Sequence, residues 1–300
     1  MPENTIQTIN PLTEQVLHVY DLMSDDEATK VIEKSHSAFL DWRLRSLEDR
    51  AAVMSRIAEE LRKSADAFAQ LMTDEVGKLL SDSRSEIELC ASICDYTAKH
   101  GPRVLADDVR EVPAGRGLVT HAPLGVIYGI QPWNFPCYQA VRYSISSLMA
   151  GNGVLLKHSE NCTGSALMLR DIYERAGLPA GLFGVLLISH EQSDAVIEHK
   201  LVRGVTLTGS DRAGRSVAQK AASVSKKTVL ELGSNDAYMV FDDADLELAI
   251  KACAKGRLFN NGQTCAATTR LIVPQALLAE VEERAAATVN AMKIGNPLDP

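Results

Sequence analysis

The chain has 300 residues, 46% of them hydrophobic, enough to bury a full core in one large or two ordinary domains. A formal net charge of -8, with no basic cluster, excludes a nucleic-acid-binding footprint. No stretch approaches the roughly eighteen apolar residues of a membrane span, and Met1-Pro2-Glu3-Asn4-Thr5 has neither the basic nor the apolar part of a signal peptide. The six cysteines, at 90, 94, 137, 162, 253 and 265, form no Cys-x-x-Cys pair. That pattern supports neither a disulfide framework nor a zinc or other metal site, and it points to a reducing cytoplasm.

Residues 24–99 carry a helical pattern. Ser24 with Glu27, and Ser46 with Asp49, read as capping boxes. Val53, Ile57 and Leu61 recur at helical spacing, so this region reads as a packed amphipathic layer without chemistry of its own. Residues 104–112 and 117–121 then flank the turn signal Pro113-Ala114-Gly115 and predict a β-hairpin.

After Pro123 strands and helices alternate. Strands are expected at 125–130, 153–157, 185–188, 204–207 and 228–230, with helices at 138–150 and 163–176 and between the later strands. Apolar strands separated by helices predict an α/β protein with a doubly wound, mainly parallel sheet. Ligands of such sheets sit at the carboxyl ends of the strands. Asn134, Lys157, Ser210 and Glu231 all fall just past a predicted strand end. A second α/β pattern starts near Ala237, with a helix at 245–260, a strand at 270–273, a helix at 275–292 and a loop signal at Gly295-Asn296-Pro297.

Two segments carry reactive groups. Asn261-Gly262-Gln263-Thr264-Cys265 places a cysteine after a turn-forming Asn-Gly, which suits presentation of a sulfur at a cleft floor. Glu231 ends the apolar run Thr228-Val229-Leu230-Glu231-Leu232-Gly233, an unusual place for a carboxylate that is only solvated. With Pro132-Trp133-Asn134-Phe135-Pro136, Leu155-Leu156-Lys157-His158-Ser159-Glu160 and Thr208-Gly209-Ser210 followed by Gly214, they make five motifs in one order. Together these motifs resemble the aldehyde dehydrogenase superfamily, and within it the bacterial succinate-semialdehyde dehydrogenases. The resemblance runs from about Pro11 to the end of the chain.

The resemblance implies a Rossmann-like cofactor-binding unit from 1–103 and 122–232, a hairpin arm at 104–121 for oligomerisation, and the first part of a catalytic unit at 233–300. Family members continue beyond this point, with the rest of the catalytic unit, a further cofactor contact and an oligomerisation strand. Cys265 matches the nucleophile, Glu231 the general base for thioester hydrolysis, and Asn134 the side-chain donor to the oxyanion. Ile130, Trp133, Asn134, Lys157, His158, Ser159, Glu160, Gly209, Ser210, Gly214 and Leu232 match cofactor-binding positions.

There is no G-x-G-x-x-G after the first sheet strand, so a pyrophosphate is expected at the helix start after Gly209-Ser210. A carboxylate at Glu160 accepts from a ribose 2′-OH and repels a 2′-phosphate, which favours NAD, with NADP admitted by the adjacent His158 and Ser159. Arg142 matches an arginine that grips the substrate carboxylate; a plain surface arginine is the equal alternative.

Two positions depart from the family pattern: Phe259 stands where some relatives have a second arginine, and Ser234 replaces a glycine after Glu231-Leu232-Gly233. The latter is expected to perturb the loop if it needs positive φ. The function implied is NAD(P)-dependent oxidation of an aldehyde, succinate semialdehyde foremost, in a homodimer or homotetramer. A broad aliphatic aldehyde dehydrogenase, transfer of the thioester to coenzyme A, and a non-catalytic dinucleotide-binding or assembly chain are the alternatives.

Overall fold

The computed structural model describes residues 4–299. Residues 1–3, part of the start read above as free of a signal peptide, and residue 300 lie outside the described part. The chain opens with an antiparallel pair, β1 (Thr5–Ile9) and β2 (Val16–Asp21), which the sequence reading leaves unassigned. Its turn is built by Asn10, whose Oδ1 accepts the N–H groups of Leu12 and Thr13 at 2.9 and 3.2 Å.

The helical layer follows as α1 (Asp25–Trp42), α2 (Leu47–Lys63), α3 (Ala65–Val76) and α4 (Leu80–Leu105). Ser24 and Glu27 close the full capping box ahead of α1. Ser46 accepts from the Asp49 N–H at 3.0 Å without the reciprocal bond, because aspartate is one methylene too short to reach back. α4 runs through Pro102 to Leu105, so the strand expected from 104 is corrected. Proline in the last turns removes one helical bond close to the helix end, where the loss is small. The hairpin proper is β3 (Asp108–Val112) and β4 (Gly115–Val119), linked by Pro113 and Ala114, with nearly every residue exposed.

Next come β5 (Val126–Gln131), α5 (Pro136–Met149), β6 (Gly153–His158), α6 (Thr163–Arg175), β7 (Phe183–Val185), α7 (His190–Glu198), β8 (Val202–Thr208), α8 (Asp211–Ser223) and β9 (Lys227–Glu231). They form the expected doubly wound sheet, wholly parallel, in the order β7-β6-β5-β8-β9. β7 ends where a strand at 185–188 is expected to begin. Leu186 and Ile188 are buried beyond it, and an apolar run signals burial rather than ladder pairing.

The last segment holds β10 (Asp236–Met239), α9 (Leu246–Leu258), β11 (Thr268–Ile272) and α10 (Leu278–Asn290), with β10 and β11 a parallel pair. α9 stops two residues short of the expected end because Asn260 and Asn261 turn left-handed, at φ 54° and 57°.

One core cluster joins the helical layer to α5, α6, β6 and β7 through Ile57, Leu61, Phe68, Ile87, Leu148 and Leu156; a second, around Tyr128, Leu155, Val205 and Leu207, lies against the sheet's other side. Burying each such side chain contributes about 1.5–3 kcal/mol. Trp42 also donates its indole N–H to the Leu148 carbonyl at 2.8 Å, tying α1 to the end of α5. Among the described residues no helix is long and apolar enough to cross a membrane.

Candidate active site

β5 and β8 are neighbours whose onward connections lead to opposite sides of the sheet, to β6 and to β9. A crevice opens past the carboxyl ends of two such strands, and this is where doubly wound sheets bind ligands. Ile130 is half-buried in β5, and Trp133 lies exposed on the turn beyond. Lys157 is almost wholly buried near the end of β6, yet among the described residues its ammonium has no hydrogen-bond or ion-pair partner. Burial lowers its pKa from the ordinary lysine value, against the pull of Glu160 and Glu191. A buried stem bearing an unbonded ammonium suits the hydroxyls of a ribose.

His158 behaves differently. Its Nδ1 accepts from the Ser159 N–H and its Nε2 donates to the Pro136 carbonyl, both at 2.9 Å, and burial pushes its pKa down to about 4. The neutral ring is thus committed at both nitrogens to bonds within the protein. Ser159 is half-buried, and Glu160 is exposed at the start of a short 3-10 turn.

Past β8, the Gly209 N–H donates to the Glu231 carbonyl at 2.9 Å, and Ser210 caps α8 by accepting from the Ala213 N–H at 3.3 Å. The helix start offers N–H groups to an anion there. Gly214 serves packing: a Cβ at this position would lie 2.5 Å from a methyl carbon of Leu232. The glycine lets Leu232 close over α8, which explains the spacing of the Gly-Ser-x-x-x-Gly segment.

The cysteine loop owes its shape to three consecutive residues of positive φ, Asn260, Asn261 and Gly262, all types that tolerate the left-handed region. Asn260, 1% exposed, donates to the Asn134 carbonyl at 2.7 Å. Asn134 in turn donates through Nδ2 to the Gln263 carbonyl at 2.8 Å. A primary amide has two hydrogens, so one remains for an oxyanion. Cys265 is exposed, whereas the other five cysteines are buried and their thiol pKa values are raised, chiefly by burial.

Cys265 and Thr264 line a cavity of about 600 Å³ together with Glu231, Leu232, Arg142 and Phe259. Glu231 ends β9 with its side chain about half exposed. Arg142, on α5, donates to Thr208 Oγ1 at 3.2 Å and stands 3.7 Å from the Glu231 carboxylate. Its partly exposed side chain lines the cavity wall. Phe259 adds an apolar wall to the cavity. Ser234 is absent from the residues with positive φ and hydrogen-bonds Asp236, so the expected strain in this loop does not arise.

Sequence reasoning missed two residues beneath this cavity. Glu86, on α4, lines its wall and forms a buried ion pair with Lys78. Burial raises the Glu86 carboxyl above its ordinary value, with Lys78 and two backbone N–H donors opposing that shift. The signal was present, because Ser83, Glu86, Cys90 and Cys94 share one buried helical stripe on which a carboxylate needs a partner.

The aldehyde dehydrogenase family profile matches residues 1–300, and the chain belongs to that family. It is 43% identical over 299 residues to a succinate-semialdehyde dehydrogenase of Deinococcus radiodurans named for NADP(+), a match covering 100% of this chain and 63% of that protein. A succinate semialdehyde dehydrogenase of Escherichia coli named for NAD(P)+ is 37% identical over 292 residues, covering 97% and 63%. The crystal structure of succinic semialdehyde dehydrogenase from Streptococcus pyogenes, in complex with NADP+, aligns with a TM-score of 0.96 at 38% identity, covering 98% of this chain and 65% of that one. The chain therefore spans about 63% of the length of these curated relatives.

Proposed function

We propose that the natively produced protein oxidises an aldehyde, succinate semialdehyde foremost, to its carboxylic acid with a nicotinamide dinucleotide. The observation that carries this reading is the exposed Cys265 sharing one cavity with Glu231 and Arg142. Cys265 adds as thiolate to the aldehyde carbon, and the resulting oxyanion takes the free hydrogen of the Asn134 amide and the backbone N–H of Cys265. Lys157, Glu160, Ser210 and the α8 start would hold NAD(P), which when bound would supply the hydride acceptor. Loss of hydride leaves a thioester on Cys265. Glu231 takes a proton from water, which attacks the thioester carbon and releases acid and thiolate.

Glu160 favours NAD by repelling a 2′-phosphate. NADP is the second reading, supported by the relatives named above and by the exposure of Glu160 beside Lys157. Arg142 binds the distal carboxylate of the substrate. Its existing partner, Glu231, supports the rival reading of a broad aliphatic specificity. Glu231 in the cavity wall argues against coenzyme A as the acyl acceptor.

The same reading assigns 1–103 and 122–232 to cofactor binding, 233–300 to the catalytic unit, the hairpin to a homo-oligomer contact, and the protein to the cytoplasm. The test is a pair of variants. Cys265→Ala should abolish labelled acyl-enzyme and keep cofactor binding. Glu231→Gln should keep an NAD(P)H burst while steady turnover falls roughly a hundred- to ten-thousand-fold. Acyl label on another cysteine, or equal loss of burst and turnover, would falsify these roles.

A further inference from the structure

We propose that the buried Lys78–Glu86 ion pair positions the reacting centre, setting where Asn134 stands relative to Cys265; the proposal rests on the aldehyde-oxidising reading above. Both side chains are 1% exposed. An ion pair so far from water is costly, and replacing one with apolar residues of similar volume is often neutral or stabilising. Its contacts point to another use.

Glu86 directs one carboxylate oxygen to Lys78 and the other to the N–H groups of Cys137 and Tyr138, at 2.9 and 2.8 Å. These are the second and third residues of α5, a helix whose N-cap is Phe135 and which has no side-chain cap of its own. α4 therefore supplies the cap from a distance and clamps the helix start just after Asn134. Lys78 places its ammonium 3.9 Å from the centre of the Phe135 ring, and that ring lies 6.0 Å from Phe259. Beside Lys78, the Gly77 carbonyl accepts from Asn261 Nδ2 at 3.1 Å. The pair thus holds both reactive segments: the Asn134 turn through Glu86 and Phe135, and the Cys265 loop through Gly77 and Phe259. The bonds from Asn260 to Asn134 and from Asn134 to Gln263 then set one segment against the other. Lys78 and Glu86 act through these groups, as positioning residues.

The test uses the natively produced protein carrying Lys78→Met and Glu86→Met together, which keeps volume and removes both charges. Cofactor Kd should stay within about twofold while the pre-steady-state hydride-transfer rate falls about a hundredfold, the order expected from misplacing an oxyanion donor. Lys78→Met with Glu86→Gln should recover part of that rate, because a glutamine oxygen accepts the same two N–H groups, and the deficit that remains is the share carried by the Lys78 ammonium over the Phe135 ring. A double-methionine variant that transfers hydride within about threefold of the parent overturns the proposal.

If that variant fails to fold, Glu86→Asp decides instead. It keeps the charge and withdraws the carboxylate by one methylene, and should slow hydride transfer at least about tenfold at unchanged cofactor Kd; an unchanged rate overturns the proposal. A readout independent of turnover is the alkylation rate of Cys265 by iodoacetamide, followed by mass spectrometry across pH. Its profile should move in each folded variant, and profiles identical to the parent's overturn the positioning role. A parent that oxidises no aldehyde defeats the functional reading alone, and the alkylation comparison then still decides the positioning claim.

Discussion

Arg142 and Glu231 stand 3.7 Å apart across the cavity that holds Cys265, and each limits what the other can do. A partly exposed pair of this kind is worth about 0–1 kcal/mol, so a substrate carboxylate that engages the guanidinium through two hydrogen bonds can displace Glu231. Arg142→Ala should therefore lower kcat/KM for succinate semialdehyde about thirtyfold relative to an uncharged aldehyde of similar length, the lower end of the range for losing a charge-assisted pair. The ratio of the two kcat/KM values is the measurement, and an unmoved ratio gives the site to broad aliphatic aldehydes. Glu160 sits exposed beside the buried Lys157, and on the reading proposed above its charge acts on whatever the 2′ position of the ribose carries. Glu160→Ser should shift the ratio of NADP to NAD dissociation constants toward NADP by roughly tenfold at low salt, and less at high salt. A parent that already binds NADP the tighter would show that Glu160 does not govern the choice.

α5 is the element on which most of the site depends, and its first turn is held from two directions. Glu86 takes two of its N–H groups, and the His158 ring, from β6, donates to the Pro136 carbonyl. That ring has a folded pKa near 4 against about 6.5 unfolded, so between these values the unfolded chain binds more protons. Its contribution is full above about pH 6.5 and is lost as pH falls toward 4, on the order of 3 kcal/mol for the whole shift. The buried carboxyls Glu75 and Glu86, raised by burial, have the opposite sign and gain stability on acidification. Comparing the parent with His158→Gln separates the two effects. Between pH 7 and 4.5 the parent's Tm should fall more steeply than the variant's, and parallel curves would remove His158 as the source.

Across the whole molecule, the hairpin of β3 and β4 exposes Val109, Val112, Leu118 and Val119, each at least 47% accessible. Apolar side chains on a two-stranded element without a core of its own call for a covering surface. A second copy of the chain is the occupant proposed above. Val109→Lys with Leu118→Lys should reduce the mass seen by sedimentation while leaving the thermal midpoint of the remaining species within a few degrees, because the sheet and both core clusters lie elsewhere. An unchanged mass would assign oligomerisation, if present, to another surface.

The alternation of apolar strands and helices after Pro123, the cysteine presented by Asn-Gly-Gln-Thr, and the glutamate ending β9 were all legible in the order of the residues. Each depends on neighbours a few positions away, where periodicity and turn chemistry act. The short pair β1 and β2 escaped because only Ile6 and Thr8 of β1 are buried, too faint an alternation to read. The length of α4 beyond Pro102 and the end of β7 at Val185 depended on packing rather than local preference. The site's internal wiring was decided only on folding: Glu86 caps α5 from 51 residues away, Asn134 reaches Gln263 across 129, and Arg142 meets Glu231 through strand order. Local spacing carries no information about such partners. A buried polar group must find one wherever the fold brings it, so residue type could show that Glu86 needs a partner, and only the tertiary structure could show that the partner is Lys78.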